Sequence, residues 1–493
     1  MSKKIAIIGG GLGGISAALY LSKYGYEIDI FEKNEKLGGK LNYTSNSGFY
    51  FDLGPSLLTM PFVVEDIFRH IGRNIEDYLE VVKLDNICRY FWSDGVVLDA
   101  DSDLSNFKDN IKQISELDAD NLSKFLDYSK TIYDLTADTF LFGPFMEWSE
   151  LFKLNNYKTL LQLNKIDSNR TMQTAINSFF ASDKLRQLFG RYATYNGSNP
   201  YSAPATLNII PHVEYTLGSF YIKGGMYKLG EALEKLLIEQ NVNIHTNTEV
   251  SKILTSGKKV RGIEIKENNE IKHLDFDYII SNSDIVHTNE NLIIDKKLTK
   301  NYTKYEPSLS GFVLILGINK TFDNLKHHNI LFSDDYKKEF DTIFQELDIP
   351  IDPTIYISIT KKTDDTHAPI GAENWFILLN MPYNSNKINW DVKKTEVRDL
   401  IIKKLKKFGF DIEDDIMFEQ SITPTEMESM YLTNKGSIYG LSSNSKFSAF
   451  LRQSNRNKKI ENLYHVGGSV HPGGGIPLVI LSGKIASELV LSN

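Results

Sequence analysis

Cysteine is almost missing from this chain: Cys88 is the single one in 493 residues. One thiol excludes an intramolecular disulfide framework and any metal site built on cysteine, and it fits a reducing compartment. Long apolar runs are lacking as well. The nearest, Phe312 to Ile318 and Ile476 to Leu481 before Ser482 and Lys484, fall well short of the roughly 20 residues needed to cross a bilayer. A membrane-borne substrate would have to be reached from the surface. There is no surplus of positive charge: a net charge of −8 argues against a general nucleic-acid binder. Internal repeats and low-complexity linkers are also lacking. What abounds is Phe (28) and Tyr (25), on an otherwise ordinary globular composition whose length favours two domains.

The first stretch of the chain carries the strongest signal. An apolar run, Ile5-Ala6-Ile7-Ile8, meets Gly9-Gly10-Gly11-Leu12-Gly13-Gly14, followed by an Ala/Leu-rich segment and a second apolar run, Ile28 to Phe31, ending in Glu32. This order predicts strand, glycine turn, helix, strand and acid, the dinucleotide-binding βαβ arrangement. Gly9 lets the chain turn out of the strand, Gly11 offers no Cβ to hold the backbone away from a pyrophosphate, and Gly14 lets the helix pack closely on the sheet. The helix N-terminus supplies unpaired N–H groups to the phosphates, and Glu32 accepts hydrogen bonds from a ribose diol. A secretory signal is the rival reading of Met1 to Leu21. It is disfavoured because no small-residue cleavage site separates the helix from the strand ending in Glu32.

A second glycine turn, Gly38-Gly39-Lys40, then brings another cation and more backbone N–H groups. Near the other end, an apolar strand ending at Val466-Gly467 runs into Gly468-Ser469-Val470-His471-Pro472-Gly473-Gly474-Gly475-Ile476. Pro477 then begins an apolar helix through Leu491. The three glycines leave that helix terminus open to a flat ligand. His471 is expected to hydrogen-bond backbone within its loop rather than approach the ligand.

Between these ends, residues 57–90 read as mostly helical, and Arg89 to Leu98 as a hairpin turning at Asp94-Gly95. Leu104 to Lys165 reads as helical, with Phe140, Phe142, Phe145, Trp148 and Phe152 beside Lys153, Lys158 and Lys165. That aromatic face suits either a core helix or a membrane-interface helix. Short strands are expected at Val242–His245, Val250–Leu254, Val260–Ile265, Ile271–Phe276 and Tyr278–Ser281, returning to the nucleotide domain. Beyond residue 300, strands at Gly311–Ile318, Thr354–Thr360 and Asn374–Asn380 and a helix at Val392–Phe408 complete a second domain.

The terminal glycine motifs, with Arg191-Tyr192-Ala193-Thr194-Tyr195-Asn196-Gly197, Ala203-Pro204-Ala205-Thr206 and Gly224-Gly225-Met226, resemble the phytoene-desaturase type of carotenoid desaturase. That group is a branch of the FAD-dependent, amine-oxidase-like fold. Through Asn199-Pro200-Tyr201 and Gly467 to Gly475 the chain looks most like the 1-hydroxycarotenoid 3,4-desaturases, with phytoene and dehydrosqualene desaturases close behind. Many relatives read Gly-Ala-Gly-Thr-His-Pro where this chain has Gly467 to Pro472.

The resemblance implies an α/β fold: a Rossmann-type FAD-binding domain, discontinuous in sequence (1–85, 220–290 and 425–493), and a mixed α+β substrate domain (86–219 and 291–424). It places FAD along Gly9, Gly11, Leu12, Gly14, Glu32, Lys40, Ser56, Leu57, Val250, Asn282, Gly467, Gly475 and Ile476. It implies an enzyme that moves a hydride from a carotenoid C–C bond to the flavin. The cation so formed is spread over the polyene, its neighbouring proton is acidic, and no strong base is demanded. No catalytic residue is assigned and no metal is expected; His212, Glu214, Arg191 and Tyr195 are candidate cavity residues only. The expected partners are a carotenoid and a membrane surface, in a cytoplasmic, peripherally membrane-associated protein. The final electron acceptor, oxygen or a quinone, stays open. Amine oxidation, alkene saturation or isomerisation, and a non-enzymatic carotenoid carrier are the alternatives.

Overall fold

β1 (Lys4–Ile8) is the centre of a five-stranded parallel sheet. The computed structural model describes residues 2–144, 166–267, 270–445 and 452–493. β1 pairs with β2 (Glu27–Phe31) on one side and with Tyr278–Ser281 on the other, while Asn243–His245 and Leu463–His465 form the edges. The sheet thus draws strands from three well-separated parts of the chain. Its side chains alternate as the pleat requires. Ile5 and Ile7 pack among α1 (Leu12–Leu21), the helix Lys228–Glu239 and the C-terminal helix Ile476–Leu491. Ala6 and Ile8 point the other way, toward Val250, Ile263 and Ile279. α1 and the C-terminal helix lie so close that a Cβ on Gly483 would sit 2.5 Å from the Gly13 carbonyl oxygen.

The second unit is a seven-stranded mixed sheet. Its order is Ile416–Ile422, Ser310–Ile318, Glu373–Met381, Ile355–Ser358, His328–Leu331, Asn86–Phe91 and Val97–Asp101. Phe312, Leu314 and Leu316 pack against the helix Trp390–Lys407. The alternate residues Val313 and Ile315 face Phe49 and Phe51 from a hairpin of the first unit. Helices Leu104–Lys112 and Glu116–Thr136, started by the side-chain caps Asp103 and Ser115, belong to a layer over Tyr90, Ile330 and Phe332. The two units are therefore joined across the face of the second sheet, where the site lies.

Several expectations need correction. Residues 57–90 hold one α-helix, Pro61–Ile71, and a single 3-10 turn, Ile75–Asp77, followed by strands Val81–Lys83 and Asn86–Phe91. Val81–Lys83 is fixed by pairing with Phe220–Ile222, a partner some 140 residues away in sequence. Of the strands expected to return to the nucleotide domain, Asn243–His245 and Tyr278–Ser281 join the parallel sheet, while Glu249–Ser256, Lys259–Glu267 and Glu270–Asp275 form a separate antiparallel sheet over it. Strands His328–Leu331 and Ile416–Ile422 were not anticipated. The described part of the aromatic stretch ends in a π-turn, Ala137–Leu141. Phe145, Trp148 and Phe152, with Lys153, Lys158 and Lys165, lie outside the described residues. Among the described residues no helix is long and apolar enough to cross a membrane.

Candidate active site

All the residues assigned to the cofactor except Gly14 line one cavity of about 950 Å³: Gly9, Gly11, Leu12, Glu32, Lys40, Ser56, Leu57, Val250, Asn282, Gly467, Gly475 and Ile476. The cavity opens at the C-terminal end of β1, where chain order reverses in the sheet and where α/β folds place their ligands. Gly14 has the other role read for it: its Cβ would lie 2.5 Å from the Gly9 carbonyl oxygen and 3.0 Å from Ile7 Cγ2, so it serves helix–strand packing.

Gly11 is more crowded than open approach to a pyrophosphate requires. Its Cβ would meet Asn282 Nδ2 at 2.8 Å, and a Cβ on Gly13 would meet Asn282 Oδ1 at 2.7 Å and Gly467 N at 2.9 Å. The Asn282 amide, donating to Gly9 O at 3.1 Å, is the knot that ties the first glycine turn to the last. The second turn closes from the other side, with Gly38 N donating to Gly10 O at 2.8 Å.

Two helices end here without side-chain caps and without acids in their first turns: α1 at Gly11 and the C-terminal helix at Gly475. Their first-turn N–H groups and positive dipole ends are available to an anion. Pro477 is the second residue of its helix rather than the first, still among the positions where a missing N–H costs nothing. A Cβ on Gly475 would meet nothing within 4 Å, so the space before this helix is open. Glu32 is buried, each oxygen accepting one backbone N–H, from Gly10 at 2.8 Å and Asn34 at 2.9 Å. Each oxygen keeps a further lone pair for a ribose hydroxyl. Glycine cradles, two open helix ends and an acid beside them fit a dinucleotide.

Lys40 donates to the Ser437 and Ile438 carbonyls. Burial, partly offset by the Asp284 carboxylate, lowers its pKa to about 8. This gives two pH dependences of opposite sign. A bound diphosphate favours protonated Lys40, so FAD affinity should fall as pH rises above about 8. The unfolded chain keeps this proton up to the ordinary lysine value of 10.5, so between about 8 and 10.5 the apoprotein should gain stability from the same group. Lys40→Met should remove both trends, read by fluorescence titration of FAD and by urea denaturation.

Beyond the glycine turns the cavity continues between apolar walls that include Val313, Ile330, Phe376 and Leu378 from the second sheet and Phe140 and Leu141 from the π-turn. A polar cluster is set into them. Arg191 Nη2 lies 3.0 Å from Glu214 Oε1, and both are buried. Arg191 also donates to the hydroxyls of Tyr90 (2.6 Å) and Tyr192 (3.0 Å), while Tyr192 and Tyr195 donate to Glu214. Burial pushes the three tyrosines well above their usual range, so they remain donors. Arg191, Tyr195 and Glu214 line the cavity. His212 does not; its ring packs on Tyr133.

A second polar chain was not legible in the sequence. Ser56 Oγ lies 2.6 Å from Tyr356 OH, which lies 2.8 Å from His328 Nδ1, and all three residues line the cavity. Burial, then His327 and the Arg191 charge, hold His328 well below the usual histidine pKa, and among the described residues its Nε2 has no hydrogen-bond partner. Cys88 also lines the cavity, its thiol pushed up to about 12 by burial and hence unreactive. His471 reaches a backbone carbonyl outside its own loop, with Nε2 3.0 Å from Gly143 O.

Comparison with known proteins agrees with this geometry. The chain is 40% identical over 489 residues to a 1-hydroxycarotenoid 3,4-desaturase of Flavobacterium sp. (strain P99-3), covering 99% of both chains. It is 38% identical over 492 residues to a 4,4'-diaponeurosporene oxygenase of Staphylococcus haemolyticus (strain JCSC1435), covering 99% of this chain and 97% of that one. An oxidoreductase structure from Methanosarcina mazei superposes with a TM-score of 0.63 at 16% identity, covering 99% of this chain and 100% of that one, a likeness of fold. The flavin-containing amine oxidoreductase family matches residues 12–491, so the chain belongs to that family and is an FAD-dependent oxidoreductase.

Proposed function

We propose that this protein desaturates carotenoids, and that its substrate is a 1-hydroxylated carotenoid oxidised at the 3,4 bond of its end group. The observation that carries this reading is the cavity itself, which runs from the glycine turns along apolar walls to a buried Arg191–Glu214 pair. A long apolar chain bearing one hydroxyl matches those walls and that polar cluster. The 40% identity to a 1-hydroxycarotenoid 3,4-desaturase over nearly the whole chain supports the choice of substrate. The aromatic π-turn at the cavity wall supports delivery of the substrate from a membrane surface.

Bound FAD supplies the two-electron oxidant. The residues that would hold it are the two glycine turns, Glu32, Lys40 and the open end of the C-terminal helix. The chain's own contribution to the reaction is placement. The apolar walls exclude water and align the polyene. Arg191 is the donor offered to a substrate oxygen, the Tyr195 hydroxyl, whose proton goes to Glu214, is left to accept from a substrate hydroxyl, and Glu214 fixes both. A site built around one hydroxyl leaves polar groups unpaired when that hydroxyl is missing, so the unhydroxylated analogue should react more slowly.

The test is anaerobic incubation of the holoprotein with liposomes carrying each carotenoid. The hydroxylated substrate should bleach the flavin at least ~10-fold faster than its analogue, and its product should absorb at longer wavelength. Faster turnover of phytoene or dehydrosqualene would replace this substrate assignment. The oxygenase relative, nearly as similar, favours a second reading, oxidation of a carotenoid end group. A product that gains oxygen instead of losing two hydrogens would establish that reading.

A further inference from the structure

Most buried cations of this protein have an acid beside them. Arg191 pairs with Glu214 at 3.0 Å and Lys404 with Asp352 at 2.6 Å, and Lys40 has the Asp284 carboxylate nearby. Arg452 differs. It is 5% exposed, and among the described residues it forms no ion pair. Its partners are neutral oxygens: Nη1 donates to Tyr439 O (3.1 Å) and Gly468 O (3.0 Å), and Nη2 to Leu441 O (3.0 Å) and Asn196 Oδ1 (3.1 Å). Burial with no compensating acid lowers its pKa to about 10, so it is still charged at neutral pH.

A buried charge without a counter-charge is costly, and carbonyl dipoles compensate it only in part. The location indicates what supplies the rest. Arg452 lines the same cavity as Gly468, Gly474 and Gly475, and its Cζ would be 3.7 Å from a Cβ on Gly473. It therefore stands beside the loop that opens the C-terminal helix, holding Tyr439 O next to the Ile438 carbonyl that takes Lys40. The positive end of that helix and the guanidinium act in the same direction on whatever occupies the space before Gly475.

We propose that Arg452 is the fixed positive charge that stabilises the flavin ring of bound FAD in its reduced, anionic form, and so raises the reduction potential of the holoprotein. Two electrons and a proton entering a neutral oxidised ring leave it with one negative charge. A cation held by four neutral acceptors, and not cancelled by an acid, favours that state over the oxidised one. This makes the flavin a stronger oxidant, which a hydrocarbon donor requires. The inference rests on FAD binding and is independent of which carotenoid is the substrate.

The purified holoprotein tests this without any carotenoid. The two-electron midpoint potential is measured against a reference dye in wild type, Arg452→Gln and Arg452→Lys, together with the affinity for sulfite, which adds to electron-poor flavins. Arg452→Gln should lower the potential by about 30–60 mV, equivalent to roughly 10–100-fold in the two-electron equilibrium constant, with a comparable loss of sulfite affinity. Arg452→Lys keeps a charge but not the planar fork, and should retain most of the potential. If Arg452→Gln holds FAD with an unchanged potential, the proposal is overturned, and Arg452 only staples Gly468 to Tyr439 and Leu441. If Arg452→Gln cannot hold FAD, Arg452→Lys decides. As pH is raised through the titration of the buried amine, its potential should fall below the wild-type line, and parallel lines would overturn the proposal. Weakened binding of oxidised FAD with no change in potential would place the guanidinium on the phosphates instead and equally overturn it.

Discussion

Gly11→Val is expected to purify colourless and to bind added FAD at least ~100-fold more weakly than wild type, a loss of about 3 kcal/mol. The first atom of the new side chain would lie 2.8 Å from Asn282 Nδ2, and its γ-methyls would have no room between the two glycine turns, since Gly39 Cα is only 3.8 Å from the same Cβ. Two physical causes contribute, and a second pair of variants separates them. If the clash with Asn282 dominates, adding Asn282→Ala to Gly11→Ala should restore part of the FAD affinity that Gly11→Ala loses. If the side chain instead blocks the pyrophosphate, Asn282→Ala should restore nothing and should add its own loss, because its amide also holds the Gly9 carbonyl. Normal FAD content in Gly11→Val, measured by absorbance after gel filtration, would remove the first glycine turn from the cofactor site.

Asn282 also illustrates what the sequence makes legible. The glycine turn, its flanking strands and α1 could be read because their signals are local: spacing, small residues and an acid at the end of the second strand. The same holds for the loop and helix after Gly467. Asn282 could be placed at the end of its strand, but its meeting with Gly9, Gly13 and Gly467 spans most of the chain and has no local signature. Arg452 stands between Ala449-Phe450-Leu451 and the polar Gln453-Ser454-Asn455, and no motif there marks its guanidinium as buried beside the glycine loop. The Ser56–Tyr356–His328 chain joins residues 300 positions apart. The strand Val81–Lys83 reads as a helix continuation until its partner strand is known, because tertiary pairing overrides local propensity. The alternation of Val313 toward the cavity side and Leu314 toward the helix Trp390–Lys407 is implicit in an all-apolar strand, yet a run buried on both faces does not show which side bears the site.

The largest stability effect should come from the Arg191–Glu214 pair. Glu214→Ala leaves a buried guanidinium facing only tyrosine hydroxyls and should cost about 3–5 kcal/mol, measured by urea denaturation of the holoprotein. Glu214→Gln keeps the shape and one acceptor, and should cost about 1–3 kcal/mol. Replacing both partners, Arg191→Met with Glu214→Gln, should recover much of the loss, since apolar packing can substitute for a buried pair while a lone buried charge cannot be tolerated. The same double variant separates stability from recognition. It should fold and retain FAD, because none of the altered groups belongs to the glycine turns. It should also lose the preference for a hydroxylated over an unhydroxylated carotenoid in the anaerobic bleaching assay. A cost below about 1 kcal/mol for Glu214→Ala would mean that water reaches the pair through the cavity. An undiminished preference in a folded double variant would place hydroxyl recognition elsewhere along the wall, with the Tyr356–His328 pair, which lines the same cavity, as the next position to alter.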